Sequence, residues 1–486
     1  MRNVHAAILP GLRGLIAAGL ALFAAAAAAG ARYELGYEPV AERMRVRLCI
    51  DAAAAVREFR LQRGGADYVE DLRRERGELR PSGEARWRAA DWRAGECLTY
   101  VAKLGAVVQG RDREVGSRVG EVLLVAPQAW LLQDATTAGG EAVVTMPPDQ
   151  AFAPPWQELA RDGAATRYTI PATPFGWSAM IAVGRFEETR LRVGDSLARL
   201  TILGTTTAGQ RATLRGWVER ALAAAATGYG DLPLPQVQVV LFAGGRRGPA
   251  VGFGQSLRGQ GNAVHIQVDA NASAAALDAD WTAVHEFSHW AHPYLGDDGA
   301  WLAEGLASYW QYVLRARSGA LTPQQAWSEL DAGFGRGLRT ADDSRSLAEL
   351  SQAMHARRAY YAVYWSGAAF WLTADVELRK RSGGRIGIDT ALQRFHACCL
   401  ERKREWGAEE FVAKLDALVG SDVLRREYRA FAARRGFPPL DALYARLGLQ
   451  RDGDALQLAD DAPDAAIRDA IVRRRAPPPT ERASSQ

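Results

Sequence analysis

The sequence predicts a multidomain α+β protein, with an all-β N-terminal domain, a mixed central domain and a helical C-terminal part. Three observations carry this. The chain has 486 residues, enough for about two to four domains. Residues 32–178 read as short alternating or apolar runs such as MRVRLCI, CLTYVAKL and EAVVTM, bounded by Gly, Pro and Asp. From about Arg190 strands and helices alternate, and beyond Pro323 the pattern is helical almost throughout. The expected segments are 1–31 as a cleaved leader, 32–178, 179–395, 396–465, and a disordered tail at 466–486.

The leader comes first. Arg2 and Arg13 precede an apolar run, GLIAAGLALFAAAAAAGA, that ends in small residues. That is the pattern of a secretory signal peptide, with cleavage before Arg32 after Ala29-Gly30-Ala31. The alternative is an uncleaved membrane anchor, but much of the run is weakly apolar Ala and its small-residue end favours cleavage, so the expected location is periplasmic or secreted. No later segment is apolar over a spanning length, so no membrane span is expected after cleavage. Four cysteines fit an oxidising compartment. Cys49 and Cys97 lie in strand-like contexts and could pair. Cys398 and Cys399 are adjacent, and read as two buried small hydrophobes or as a vicinal disulfide. The net charge of +4, with basic residues interspersed among acidic ones, does not describe a nucleic-acid binder.

The central segment opens with the strand LARLTILG. The helix GQRATLRGWVERALAAAATGYG follows, stopped by Gly228 and Gly230. VQVVLF and NAVHIQVD are strands. DADWTAVHEFSHWAH is a helix with Asp278 or Asp280 as its cap, HPYLGDDG breaks it, and AWLAEGLASYWQYVLRARSG is the next helix. A long helix, AYYAVYWSGAAFWLTADVELRKRSGG, ends at Gly383-Gly384.

The chemistry concentrates on these helices. His285 and His289 are four residues apart, so a helix puts both imidazoles on one face, one turn apart. Zinc takes such nitrogens, and a catalytic site keeps one position open. Glu286 then projects beside the ion rather than onto it, which suits a base. A third ligand is needed, and Glu304 on the following helix is the candidate. The bland alternative is a helix whose histidines merely bond their neighbours. His292, three residues past His289, reads as a helix-end or cleft residue rather than a ligand.

The stretch His285-Glu286-Phe287-Ser288-His289, followed by Trp301-Leu302-Ala303-Glu304-Gly305-Leu306-Ala307-Ser308-Tyr309, resembles the gluzincin metallopeptidases, in particular the glycyl aminopeptidase and aminopeptidase N families. The resemblance implies a β-sandwich-like N-terminal domain and a thermolysin-like catalytic domain over 179–395. It also implies one Zn2+ on His285, His289 and Glu304, Glu286 as general base, and Ser308 as support behind the ligands. Tyr364-Trp365-Ser366-Gly367-Ala368, starting sixty positions after Glu304, matches the family's Y-x-x-G-A element, which implies that the Tyr364 hydroxyl stabilises the oxyanion. The expected partner is a peptide or protein substrate. The alternative is a non-catalytic binding protein that keeps the fold.

Two departures from the families stand out. Only fourteen residues separate His289 from Glu304, so the interhelix loop is short. The segment that holds a substrate's free amino group in aminopeptidases has its counterpart in Gly252-Phe253-Gly254-Gln255-Ser256, and Gln255 stands where a glutamate is expected. An amide can accept a hydrogen bond but supplies no countercharge. Gly254 and Gln255 are thus expected to bind substrate, with NAVHIQVD as the edge strand along which a peptide lies; aminopeptidase and endopeptidase both stay open, and Gln255 tilts the reading slightly away from a strict aminopeptidase.

Overall fold

The computed structural model describes residues 30–482, apart from 137–138, 246–247, 401–403, 454 and 477. The signal-peptide reading of residues 1–29 lies outside these described residues, as do residues 483–486.

The N-terminal part is built as expected from alternating strands. A seven-stranded sheet has at its centre Ala31–Glu38, antiparallel to Arg43–Ile50 and parallel to Gly140–Thr145. Alternation puts Tyr33, Leu35 and Tyr37 inward and leaves polar residues outward, so the register is fixed by burial. Cys49 and Cys97 face each other across Arg43–Ile50 and Glu96–Lys103 and form a disulfide. Two four-stranded sheets complete this part. One includes Ile181–Gly184 paired with Val122–Val125, so the β pairing continues past the expected end at 178.

The second large unit is a six-stranded sheet carrying the helices of interest. Ser196–Leu203, Gln236–Gly244 and Ala263–Asp269 run parallel, and the helix Ala208–Ala226 makes the crossover between the first two. Its start is a capping box between Thr207 and Gln210. The outer strand on one side is Val251–Leu257, antiparallel to Ala263–Asp269. This corrects the expectation for NAVHIQVD. That segment is the second strand in, because its residues Val264, Ile266 and Val268 are fully buried, and the Gly-bearing strand beside it is the edge.

The helix with the two histidines runs Thr282–Ser288 and tightens into a 3-10 turn at His289–Ala291. Asp280 starts it, accepting a 2.7 Å hydrogen bond from the Thr282 backbone N–H. The helix Ala300–Ser318 follows and is stopped by Gly319 in the left-handed region, φ 87°. Tyr360–Ser382 packs along it. The crossing point is set by two glycines. A Cβ on Gly305 would stand 2.4 Å from the Gly367 carbonyl carbon, and one on Gly367 would stand 1.9 Å from the Trp301 carbonyl oxygen. Backbone meets backbone there, so no side chain can yield. The Trp371 indole N–H closes the contact with a 2.8 Å bond to the Leu302 carbonyl.

The expected disordered tail is corrected. Ala465–Val472 is a helix with Ile471 and Val472 buried, and Thr480–Arg482 joins the six-stranded sheet beside Glu188–Val193. The polar stretch after this helix finds a partner inside. Arg475 bonds Asp389 at 2.5 Å, and Asp389 also faces Arg317 and Arg379. Cys398 and Cys399 are joined as a vicinal disulfide at the end of Ile388–Cys399. No helix among the described residues is long and apolar enough to cross a membrane.

The glycine crossing makes a testable claim. Gly305→Ala and Gly367→Ala should each lose about 1–3 kcal/mol despite the better helix propensity of alanine, with Gly367→Ala the worse. Gly335→Ala, where a Cβ would meet only the flexible end of Arg339 at 3.1 Å, serves as the control. Thermal unfolding measures all three. A melting temperature for Gly367→Ala equal to that of Gly335→Ala would refute the backbone contact.

Candidate active site and metal centre

The two ligand helices bring His285, His289 and Glu304 together, and their candidate ligand atoms all lie within 4.8 Å of one another. Glu304 Oε2 is 3.2 Å from His285 Nε2 and 3.7 Å from His289 Nε2. A tetrahedral zinc with bonds of about 2.0–2.1 Å spaces its ligands by roughly 3.3 Å, so Glu304 Oε2 already stands near ligand spacing from both imidazoles. Two imidazoles and a carboxylate are also the donor set that suits zinc with a position left open.

The hydrogen bonds behind the imidazoles fix which nitrogen faces inward. A carbonyl only accepts, so His292 Nδ1 donates to the Pro293 carbonyl at 2.7 Å, and His292 Nε2 is left as an acceptor. His289 Nδ1 donates to it at 3.0 Å. His285 Nδ1 donates to Gln311 Oε1 at 2.8 Å. Both rings therefore turn Nε2 toward Glu304; in the neutral ring that nitrogen carries the lone pair that binds a cation, and in the protonated ring it donates to the carboxylate. Burial pushes His292 down to about 3, which keeps this relay neutral. Arg258 anchors the turn from outside the ring set, donating to the carbonyls of His289 and His292 at 2.7 and 2.9 Å.

Glu286 is buried on the same helix and faces the edge strand. A Cβ on Gly254 would meet Glu286 Cγ at 2.7 Å and Oε1 at 3.0 Å, so the bare glycine backbone makes room for this carboxyl. Burial drives Glu286 up, His285 opposes, Glu304 adds repulsion, and the group ends at about 7. Burial also pushes Glu304 up, but the two histidines and the Tyr364 hydroxyl outweigh it and hold that carboxylate at about 2. Two adjacent carboxyls are thus driven to opposite ends of the titration range. Tyr364 donates to Glu304 and stacks on His285, with ring centroids 6.1 Å apart. Its phenol is raised, first by burial and then by the Glu304 charge, so it stays a donor.

The predicted residues thus gather with two qualifications. Gln255 is on the edge strand next to Gly254 but is exposed, and period-two alternation directs it to the opposite face. Ser308 is buried in the cleft wall one turn after Glu304, but the bond to His285 comes from Gln311. The reading of the sequence missed Gln311, His292 as the partner of His289, and Arg258. For Gln311 a signal existed, since it falls seven residues after Glu304 and so on the same helix face. Arg258 carried none, because its targets are backbone carbonyls.

Residues 292–369 match the family model of the M61 glycyl aminopeptidases, a span that includes Glu304 and Tyr364. No curated protein matches the chain. Among solved structures, an aminopeptidase N family protein from Idiomarina loihiensis aligns with TM-score 0.64 at 13% identity, over 86% of this chain and 78% of that one. An M1 zinc metallopeptidase from Deinococcus radiodurans aligns with TM-score 0.53 at 14% identity, over 85% and 94%. Yeast LTA4 hydrolase, solved in complex with bestatin, aligns with TM-score 0.53 at 10% identity, over 85% and 68%. At these identities the structural likeness establishes the fold. It bears out the α+β architecture, and the family-model match bears out the resemblance drawn from the sequence. The match to a peptidase family together with zinc-metallopeptidase neighbours indicates a hydrolase.

The hydrogen bonds behind the ligands make the second prediction. Gln311→Ala and His292→Ala should each weaken zinc binding by about 10–100-fold, because the ligand rings lose their fixed tautomer. Competition against a chromophoric chelator reads this directly. Unchanged affinity in both variants would show that the rings are oriented by packing alone.

Proposed function

We propose that this chain is an exported zinc peptidase carrying one zinc on His285, His289 and Glu304, with Glu286 as general base and Tyr364 as oxyanion donor. The observation that carries it is the convergence of those three ligands beside a buried carboxyl that titrates at about 7. Bound zinc supplies Lewis acidity toward the scissile carbonyl and toward the attacking water. Glu286 takes the proton from that water and returns it to the leaving amine, a task that favours a pKa near the working pH. Tyr364 turns its hydroxyl from Glu304 to the developing oxyanion. The edge strand Val251–Leu257 offers backbone groups to an extended peptide, and Gly254 lets that peptide come close to Glu286.

Gln255 is neutral and turns away from the face of Gly254, so this strand position supplies no countercharge for an ammonium, which favours a peptidase that does not require a free N-terminus. The apolar N-terminal run supports export, as do the two disulfides, which fit a periplasmic or secreted setting.

The test is zinc content and hydrolysis by the mature chain, beside Glu286→Gln, on paired peptides with free and acetylated N-termini. One zinc per chain in both proteins is expected, with cleavage of both peptides by the wild type and a rate loss of more than about 10³ in the variant. Bound zinc with no loss of activity would remove Glu286 from the mechanism, and cleavage of the free peptide alone would make the enzyme an aminopeptidase. Tyr364→Phe should cost about 10²–10³ in kcat with zinc retained. A pH profile adds a third reading. Because Glu286 must be ionised to act, kcat/KM should rise with pH and level off above a pKa at or below about 7, lower to the extent that a cation shares the site. An acid limb that persists unchanged in Glu286→Asp would assign it to another group.

A further inference from the structure

A cleft of about 930 Å³ opens beside His285, between the helices Ala300–Ser318, Pro323–Arg339 and Tyr360–Ser382. Six aromatic side chains line it: Trp281, Tyr312, Tyr360, Tyr361, Tyr364 and Trp365. The lining is continuous with the candidate metal centre. Trp281 meets His285 edge-on at 5.3 Å, His285 stacks on Tyr364, and Tyr360 meets Tyr364 edge-on at 6.3 Å. A side chain leaving a peptide next to the scissile bond would therefore enter this cleft.

Exposure marks the mouth. The aromatic side chains that stand exposed among the described residues are Phe253, Trp281, Tyr294, Tyr360 and Tyr361, and three of these five rim this one cleft. Exposed aromatic surface is costly in water and concentrates where a partner covers it. The charges of the lining cancel. Asp278 and Glu329 oppose Arg315 and Arg336. Arg315 is buried and engaged, donating to the carbonyls of Asp278 and Ala279 at 2.8 and 3.1 Å, and Arg336 lies 5.0 Å over the Trp365 ring. Asp278 is paired with Arg220. Neither sign is left over to select a charged side chain.

We propose that this cleft is the principal specificity subsite, and that it takes an uncharged aromatic side chain from one of the residues flanking the scissile bond. The proposal rests on the peptidase reading for its substrate class, and its test is arranged so that the two can fail separately.

Binding is measured by calorimetry on zinc-loaded Glu286→Gln, with tetra-alanine and its four single-phenylalanine variants as probes. One phenylalanine position should bind about tenfold or more tighter than tetra-alanine. Placing lysine at that position should give no gain. Trp281→Ala and Tyr361→Ala, both at exposed positions and each checked for unchanged zinc content and melting temperature, should each reduce the phenylalanine gain to within about twofold. Leu338→Ala, exposed elsewhere, should leave it intact. Peptides that all bind alike or not at all would overturn the subsite. So would a lysine preference, or a phenylalanine gain indifferent to both rim substitutions. Hydrolysis of the same peptides by the wild type is the separate readout. Selective binding without any hydrolysis would sink the peptidase reading and leave the subsite standing.

Discussion

The backbone contact between Gly305 and Gly367 is the constraint on which the site depends. Glu304 immediately precedes Gly305, and Tyr364 lies three residues before Gly367, so each functional side chain is within one turn of the crossing. Helices that carry side chains at their contact usually stand about 8–10 Å apart. Bare backbones approach closer, and that approach lets the Tyr364 hydroxyl reach the Glu304 carboxylate. A methyl group at either glycine would separate the third ligand from the proposed oxyanion donor. The glycines in the two sequence elements thus have a physical reason, independent of any resemblance: they set the distance between two halves of one site.

The second constraint is electrostatic. The centre holds two histidines and two carboxyls in a largely buried setting, and unpaired buried polar groups are expensive. The structure meets this by sending each imidazole Nδ1–H outward to an acceptor that is itself fixed. Gln311 belongs to the long ligand helix, and His292 hands its own proton to a backbone carbonyl. Arg258, buried enough to be lowered to about 10, holds the carbonyls at the end of the 3-10 turn. The result is a pair of Nε2 atoms already aimed at one point, so binding a cation requires little reorganisation.

Much of this was legible in the sequence, for identifiable reasons. The period-two runs, the capped helices and the i, i+4 histidines are local patterns, and local patterns survive into the fold. The helix boundaries at Gly319 and Gly383 follow from the same logic. What failed was non-local. NAVHIQVD alternates like a half-buried edge strand, yet Val251–Leu257 covers its outer side, and strand order is set by pairing that no single run displays. The segment from 466 looked disordered because its last stretch, RRRAPPPTERASSQ, is polar and Pro-rich, whereas Arg475 is neutralised by Asp389, 86 residues earlier in the chain. Gln255 was legible as the missing countercharge, but the turn of its side chain away from Gly254 depends on strand register.

Glu286 illustrates why the strand order matters for chemistry. Were the edge strand to carry a side chain at position 254, the Glu286 carboxyl would be displaced from where it now lies, since a Cβ there would come within 2.7 Å of its Cγ. With glycine, the carboxyl is wedged between the ligand helix and a bare strand, out of water and close to the Glu304 charge. Those two influences raise it, and the imidazole of His285 opposes them. A carboxyl in that position is weakly acidic enough to accept a proton near neutral pH and acidic enough to give it back. The neighbouring Glu304, three ångströms from an imidazole, is driven the other way and stays an anion. One sheet edge without a side chain and one helix crossing without side chains therefore separate the proposed base, Glu286, from the candidate ligand, Glu304, among two otherwise identical side chains.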